Sequence, residues 1–200
     1  MGGLCSNFRY DALGQLISLE TIDETAGYLQ RLCIDLEYDE FGRECKRTFD
    51  LGAGLVQTLE QTYDEVDRLT RRTLKAGSEL LRDELYYYDS RSRLYDYKCS
   101  GSQAPVDPYG KIINRQIFNF DATDNITFVE TTFEGGSNAS FYEYTNPSDP
   151  CQLTALTNDF QPDYPARLEF SYDADGNMVH DEAGRTLVYD SLGRLSSVSV

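Results

Sequence analysis

Few residues of this sequence have the types and spacing that catalysis requires. His180 is the only histidine in the chain, and a histidine can act as a general base. No Ser, Cys or carboxylate lies at a motif spacing that would let it act with His180, so a packed or surface histidine is the favoured interpretation. We therefore predict no catalytic residue and expect that the chain is not an enzyme.

Adjacent carboxylates are the next candidates, because glycosidases use two acidic side chains on either side of the scissile bond. The sequence contains four such pairs, Asp23-Glu24, Asp39-Glu40, Asp64-Glu65 and Asp181-Glu182. Three of them stand at the same position of a repeated motif, which indicates turns and a solvated rim instead of acid catalysis.

Metal binding has equally weak support. The segment Asp173-Ala174-Asp175-Gly176-Asn177 resembles the start of a calcium loop, but the twelfth position, where an EF-hand has Glu, is Gly184. The five cysteines are odd in number and widely spaced, at 5, 33, 45, 99 and 151. Cys33 and Cys45 flank one predicted hairpin and could face each other, although reduced thiols are favoured. No metal and no cofactor are predicted.

Composition restricts the fold class and the partners. The chain has 200 residues, 40% of them apolar, with 15 Tyr, 10 Phe and no Trp, which favours an all-β domain with a core. A net charge of −16 repels phosphate backbones and anionic headgroups, so we expect no nucleic-acid partner. No segment is apolar enough to insert into a membrane, and the segment from Met1 to Cys5 lacks the features of a classical signal peptide.

One motif recurs along the whole chain: an aromatic residue, Asp, two variable residues, a turn residue, a polar residue and an apolar residue. Asp can accept hydrogen bonds from backbone N–H groups ahead of it, and Gly, Asn or Asp at the fifth position tolerates a left-handed backbone. The motif therefore predicts a β-hairpin with a bulge. Strong copies occupy residues 10–16, 38–43, 63–69, 88–94, 120–126, 172–178 and 189–195, and weaker copies occupy 106–112 and 180–185.

The flanking residues alternate as strands do. Leu32, Ile34, Leu36 and Tyr38 are predicted to form a buried face opposite Cys33, Asp35 and Glu37, and residues 166–172 repeat the pattern. The motif tyrosines are expected to stack in a ladder, and the Arg at 43, 68, 93, 185 and 194 is expected to pair with acidic neighbours. Residues 65–85 contain many helix-forming residues but no sustained apolar stripe, so they are interpreted as two strands around Gly77. Residues 1–200 are predicted to form a single repeat array.

The Tyr-Asp-x-x-Gly-Arg-Leu unit resembles the YD repeat of the Rhs family. In array form it is similar to the repeat regions of the B and C components of bacterial insecticidal Tc toxin complexes, of bacterial Rhs effectors and of animal teneurins. The resemblance covers residues 10–195. It implies tandem hairpins in a curved antiparallel sheet, part of a spiral β-shell that encloses a toxic C-terminal polypeptide.

This chain differs from the family pattern, because it contains neither the terminal core motif with its autoproteolytic aspartates nor a toxin domain, so no cleavage activity is carried over. The resemblance implies a structural segment of a secreted bacterial toxin. Its expected partners are flanking repeats of the same or a partner subunit, the encapsulated polypeptide, and other copies bound through open sheet edges. The alternative is an adhesion module whose tyrosines bind carbohydrate or a cell-surface protein.

Overall fold

The computed structural model describes residues 3–23 and 30–200, and every regular element among them is a β-strand. Met1, Gly2 and Glu24 therefore lie outside the described residues. The chain divides into two compact units, residues 1–105 and 106–200. The all-β fold class is confirmed, and no helix in the described ranges is long and apolar enough to cross a membrane. That all 200 residues form a single array stays a prediction.

The first unit contains eight strands, each antiparallel to the strand that follows it. Sequence order and sheet order coincide. The strands are β1 (Leu4–Tyr10), β2 (Leu16–Asp23), β3 (Gln30–Tyr38), β4 (Glu44–Asp50), β5 (Val56–Tyr63), β6 (Leu69–Ala76), β7 (Glu79–Tyr88) and β8 (Leu94–Ser100).

The second unit contains two sheets of consecutive antiparallel strands. The larger sheet ends near residue 169, and the smaller one holds the last two strong copies of the motif. The strands are β9 (Ile113–Phe120), β10 (Ile126–Phe133), β11 (Gly136–Glu143), β12 (Ala155–Asn158) and β13 (Arg167–Glu169), followed by β14 (Ser171–Tyr172), β15 (Met178–His180), β16 (Thr186–Tyr189) and β17 (Leu195–Ser199).

The motif forms the predicted bulged hairpin in each copy. The ladder register shifts by one residue at the motif tyrosine, for example between Thr62 and Tyr63. The fifth residue adopts a positive φ whether it is glycine (Gly42, +79°) or not (Asp67, +65°; Ser92, +63°). This conformation closes the three-residue loop of a bulged hairpin. Residues 65–85 likewise form strands around Gly77, which has φ +58°, and not a helix.

In a β-sheet, paired residues on neighbouring strands lie on the same face, and successive residues of one strand alternate between the two faces. By this rule, the two faces of the first unit differ in polarity. On one face, which we call the apolar face, cross-strand rows join Phe8, Leu19, Ile34 and Phe49, and then Leu36, Arg47, Leu59 and Leu74. On the other, the polar face, a row joins Glu37, Lys46, Glu60, Thr73, Asp83 and Ser100.

The predicted burial of the apolar face is only partly correct. Leu36 and Tyr38 are half-buried as expected, but Leu32 is 49% exposed, whereas Cys33 on the polar face is 6% exposed. The strands of the first unit form a single layer, so side chains are covered mainly by neighbours on the same face. Cys33 is covered in this way: its Sγ contacts Ser18 Oγ at 3.7 Å and Asp35 Oδ1 at 3.8 Å.

The second unit has a denser aromatic core. Phe133 and Tyr164 are 4% exposed, and their ring centroids lie 6.1 Å apart, with Phe160 contacting both rings. The Tyr164 hydroxyl donates to the carboxylate of Asp107, which ties two segments far apart in sequence. Burial and this hydrogen bond raise the pKa of Tyr164.

Candidate functional site

The most regular constellation of polar side chains is the row of Tyr-Asp turns in the first unit. In each turn the Asp carboxylate accepts from two backbone N–H groups. Asp64 Oδ1 accepts from the N–H of Val66 at 3.0 Å and from that of Arg68 at 2.9 Å. The same pair of bonds recurs at the Asp of each described copy, at positions 11, 39, 89, 107, 121, 173, 181 and 190.

The sixth-position arginine completes the turn. Arg68 Nε lies 2.7 Å from the second oxygen of Asp64, and the arginines at 43, 93, 185 and 194 bind their own turn aspartates in the same way. The prediction that these arginines pair with acidic residues is correct, and the partner is the Asp of the same turn. The backbone N–H and the guanidinium of Arg68 hold the pKa of Asp64 below its ordinary value.

The arginines also reach the next hairpin of the array. The Arg43 guanidinium lies 4.8 Å over the ring of Tyr63, and its Nη1 contacts Asp64 O at 3.2 Å and Asp67 Oδ1 at 2.5 Å. Arg68 repeats the arrangement 5.0 Å over Tyr88. These are cation–π contacts between successive turns, and they couple one hairpin to the next.

The motif tyrosines form the second link between hairpins. At five positions the tyrosine hydroxyl donates to the backbone carbonyl of a residue just after the preceding turn. Tyr63 Oη lies 2.8 Å from Glu44 O, and Tyr88 Oη lies 2.9 Å from Leu69 O. The same bond joins Tyr38 to Leu16, Tyr144 to Ile126, and Tyr172 to Leu153.

The expected ring-on-ring ladder is therefore wrong for Tyr38, Tyr63 and Tyr88. Equivalent residues of successive hairpins are two strands apart, about 10 Å, which exceeds the 4.5–7 Å of aromatic pairs. An arginine bridges the gap at Tyr63 and Tyr88. The repeat of tyrosines indicated a connection between hairpins, but only the geometry shows that cation–π contacts and hydroxyl–carbonyl bonds make it.

The other sequence candidates are placed as follows. The Asp173 carboxylate accepts from the N–H groups of Asp175 and Asn177 and from the Asn177 amide, so its oxygens serve the turn. The five cysteines are all free, and Cys33 lies opposite Asp50 in the ladder instead of opposite Cys45. Within the described residues, no group of three or more His, Cys, Asp or Glu could hold a metal ion.

One pair was missed by sequence reasoning. Ser171 and His180 face each other across β14 and β15, with Ser171 Oγ 2.7 Å from His180 Nδ1. Both side chains are exposed, and the carboxylate of the adjacent Asp181 is bound to Arg185 and to its own turn. Among the described residues no carboxylate orients His180, and cross-strand pairing explains the Ser–His contact. Only the strand register brings Ser171 opposite His180, and the spacing of the two residues in the sequence does not reveal that register.

A second polar network lies within the first unit, on the same face as the apolar rows. Glu84 is 4% exposed; its carboxylate accepts from Arg72 at 2.7 Å and from the Tyr97 hydroxyl at 2.9 Å. Burial opposes ionisation of Glu84, but these hydrogen bonds outweigh it and lower the pKa. The network satisfies a buried charge and holds no group free for chemistry.

Comparison with known proteins gives matches at the level of structure. No protein-family model and no curated protein sequence matches the chain. The crystal structure of TcdB2-TccC3-TEV matches 99% of this chain with a TM-score of 0.70 and 15% identity. The chain has the fold of a segment of a Tc toxin component. The likeness is one of fold, and the aligned segment is 11% of the length of that toxin chain.

Two further toxin structures give the same result. TcdB2-TccC3 without its hypervariable C-terminal region matches at a TM-score of 0.69 and covers 98% of this chain. A Tc holotoxin pore of Photorhabdus luminescens also matches at 0.69 and covers 99%. The chain spans about a tenth of both, 11% in each case. The resemblance inferred from the Tyr-Asp motif is thus confirmed in the fold.

Proposed function

We propose that this chain is a non-catalytic, secreted structural segment of a bacterial toxin shell and that its sheet helps to enclose a polypeptide. The observation that carries the proposal is the coupling between hairpins. At Arg43 and Arg68 the repeated Tyr, Asp and Arg side chains close the turn and also contact the next hairpin. A shell needs such joints along its whole length, whereas an enzyme needs one reactive site.

The apolar face supports the enclosing role. Leu19, Ile34, Leu59 and Leu74 on this face are half-buried, and Phe8 is 55% exposed. Opposite them, the polar face carries ion pairs such as Lys46–Glu37 at 2.6 Å and Lys75–Glu60 at 3.0 Å. Partly exposed apolar side chains grouped on one face of a sheet form a surface that can bind other apolar groups. A polypeptide held in an extended, unfolded state would present the apolar side chains that this face can cover.

The adhesion alternative has less support in the geometry. A sugar platform needs exposed aromatic rings, but the hydroxyls of Tyr38, Tyr63 and Tyr88 are bound to carbonyls, and Arg43 and Arg68 cover the rings of the latter two. These tyrosines serve the joints between hairpins.

The enclosing role can be tested with an unfolded probe, reduced and carboxymethylated α-lactalbumin. We expect the chain to bind this probe and to slow its proteolysis. Leu59→Ser with Leu74→Ser should abolish the protection, and the control Lys46→Ser, on the polar face, should retain it. Loss of protection in both variants, or no protection by the unmodified chain, contradicts the proposal. Far-UV circular dichroism of each variant establishes that the sheet persists.

A further inference from the structure

A shallow cavity of about 300 Å³ lies on the apolar face of the first unit, and we call it the Arg82 cavity. Its apolar wall is formed by Phe49, Leu51, Leu59 and Leu74, which come from β4, the residue after it, β5 and β6. Ligand pockets are typically of at least this size, with an apolar lining and a few polar groups that fix the orientation of the ligand. The other residues that line the Arg82 cavity supply such polar groups.

These polar lining residues are Gln57, Arg72, Arg82 and Glu84. Arg72 and Glu84 form a two-point ion pair, with Nε 2.7 Å from Oε2 and Nη2 3.1 Å from Oε1, so their charges compensate each other. Gln57 is neutral. The charge that remains in the cavity is therefore the positive charge of Arg82.

Arg82 differs from the arginines of the turns in having no carboxylate partner among the described residues. In the same ranges its side chain makes one hydrogen bond, from Nε to the backbone carbonyl of Gln103 at 2.9 Å. The chain has 34 acidic and only 18 basic residues, so an arginine without an ion pair is unexpected. The bond to Gln103 holds the half-buried Arg82, which pairs with Leu74 across the strands. Its terminal N–H groups can bind a carboxylate, whose geometry matches the planar guanidinium.

An extended polypeptide can occupy both parts of the Arg82 cavity. In an extended chain, residues two positions apart point to the same side and lie about 6.7 Å from each other. Directly paired residues on neighbouring strands, such as Arg82 and Leu74, have Cβ atoms about 5 Å apart. A bulky apolar side chain against Leu74 therefore brings a carboxylate two residues away within reach of the Arg82 guanidinium.

We propose that the Arg82 cavity selects segments of a bound polypeptide in which Leu or Phe stands two residues from Asp or Glu. The apolar side chain packs against Phe49, Leu59 and Leu74, and the carboxylate accepts hydrogen bonds from Arg82. The inference rests on the proposed function, which supplies the polypeptide on this face. It adds a sequence preference to the apolar face.

Matched peptides test this preference with the whole chain. One is a short capped peptide of Gly and Ser that carries Phe and, two residues later, Glu; the other has Gln in place of Glu. In titrations followed by saturation-transfer difference NMR, the Glu peptide should bind roughly fivefold more tightly. The net charge of −16 repels the Glu peptide at long range, so the buffer contains salt at about 0.15 M, where the Debye length is about 8 Å.

Three variants assign the preference to the cavity. Arg82→Gln should remove the preference for Glu and leave the affinity for the Gln peptide unchanged. Arg9→Gln removes the same charge from the polar face and should retain the preference. Leu59→Ser with Leu74→Ser should abolish binding of both peptides. Circular dichroism and thermal midpoints establish that each variant is folded.

Three results would overturn the inference: equal affinities of the unmodified chain for the two peptides, a preference that persists in Arg82→Gln, or a preference that Arg9→Gln also removes. The last would indicate an effect of net charge instead of a site. Failure of the proposed function is distinguishable from these results. Protection of unfolded α-lactalbumin without a preference for Glu refutes only the Arg82 inference, whereas a preference for Glu without protection supports the site and contradicts the enclosing role.

Discussion

The hydroxyl–carbonyl bonds make a quantitative prediction about stability. Tyr88→Phe removes the hydroxyl that donates to Leu69 O at 2.9 Å and leaves the ring and its contact with Arg68 in place. A net intramolecular hydrogen bond contributes about 1 kcal/mol, so the free energy of unfolding should fall by that amount. For a chain of this length, this corresponds to a decrease in melting temperature of about 2–4 °C if unfolding is two-state.

Two matched variants separate the bond from the loss of a hydroxyl in general. Tyr63→Phe should cost less, about 0.5 kcal/mol, because Glu44 O also accepts from the Gln61 amide at 3.2 Å and stays satisfied. Tyr10 is 59% exposed and its hydroxyl has no hydrogen-bond partner among the described residues, so Tyr10→Phe should change stability by less than about 0.5 kcal/mol.

The assay is urea unfolding followed by far-UV circular dichroism, because the chain has no Trp and the substitutions alter tyrosine fluorescence. Tyr88→Phe without effect, or Tyr10→Phe as destabilising as Tyr88→Phe, would refute the assignment of these bonds as joints between hairpins.

Further predictions concern the backbone, the buried charge and pH. Gly101 has φ +115°, and a Cβ there would lie 2.4 Å from Leu81 O, so Gly101→Ala should cost about 3 kcal/mol or more in thermal unfolding, whereas Gly54→Ala, in open space, should cost about 1 kcal/mol. Glu84→Gln leaves Arg72 without its carboxylate and should lower the free energy of unfolding by about 2–3 kcal/mol. Adding Arg72→Met to this variant should recover part of the loss. If the effects of the two single substitutions simply add in the double variant, the pairing is contradicted. Because the folded pKa of Asp64 lies below its ordinary value near 3.8, its stabilising effect is complete above about pH 5 and is lost as the pH falls through the folded pKa. Melting temperatures measured from pH 7 to pH 3 should therefore fall at the acidic end, less steeply in Asp64→Asn, and an unchanged slope in that variant would count against the turn bonds.

The local part of the fold could be predicted from the sequence because the turn chemistry lies within seven consecutive residues. Asp and the fifth residue determine the bulged hairpin wherever they occur, including the weak copy whose turn uses Asp107 and Gly110. The contacts between hairpins could be predicted only in part. The regular recurrence of tyrosine indicated a contact between hairpins. Whether that contact is made by stacked rings or by cation–π contacts and hydroxyl–carbonyl bonds depends on the distance between strands, which the sequence does not reveal.

The core of the second unit could not be predicted. Tyr164 and Asp107 meet although 57 residues separate them, and Asn138 bonds to Asn158 at 2.9 Å within a buried polar cluster. These residues lie in segments where the motif is weak or absent, so no period related one to another. The Ser171–His180 contact was missed for a similar reason, because it depends on the register of two short strands.

The acceptor in the tyrosine joint has an evolutionary consequence. Leu16, Glu44, Leu69, Ile126 and Leu153 all supply it with a main-chain oxygen, which every amino acid carries. A duplicated or recombined hairpin would therefore fit its new neighbour without a compensating substitution on the accepting strand. Under such a rule, sequences can differ widely while the architecture of the hairpins stays the same. Insertions and deletions of whole hairpins should be tolerated where single-residue changes in the turn are not.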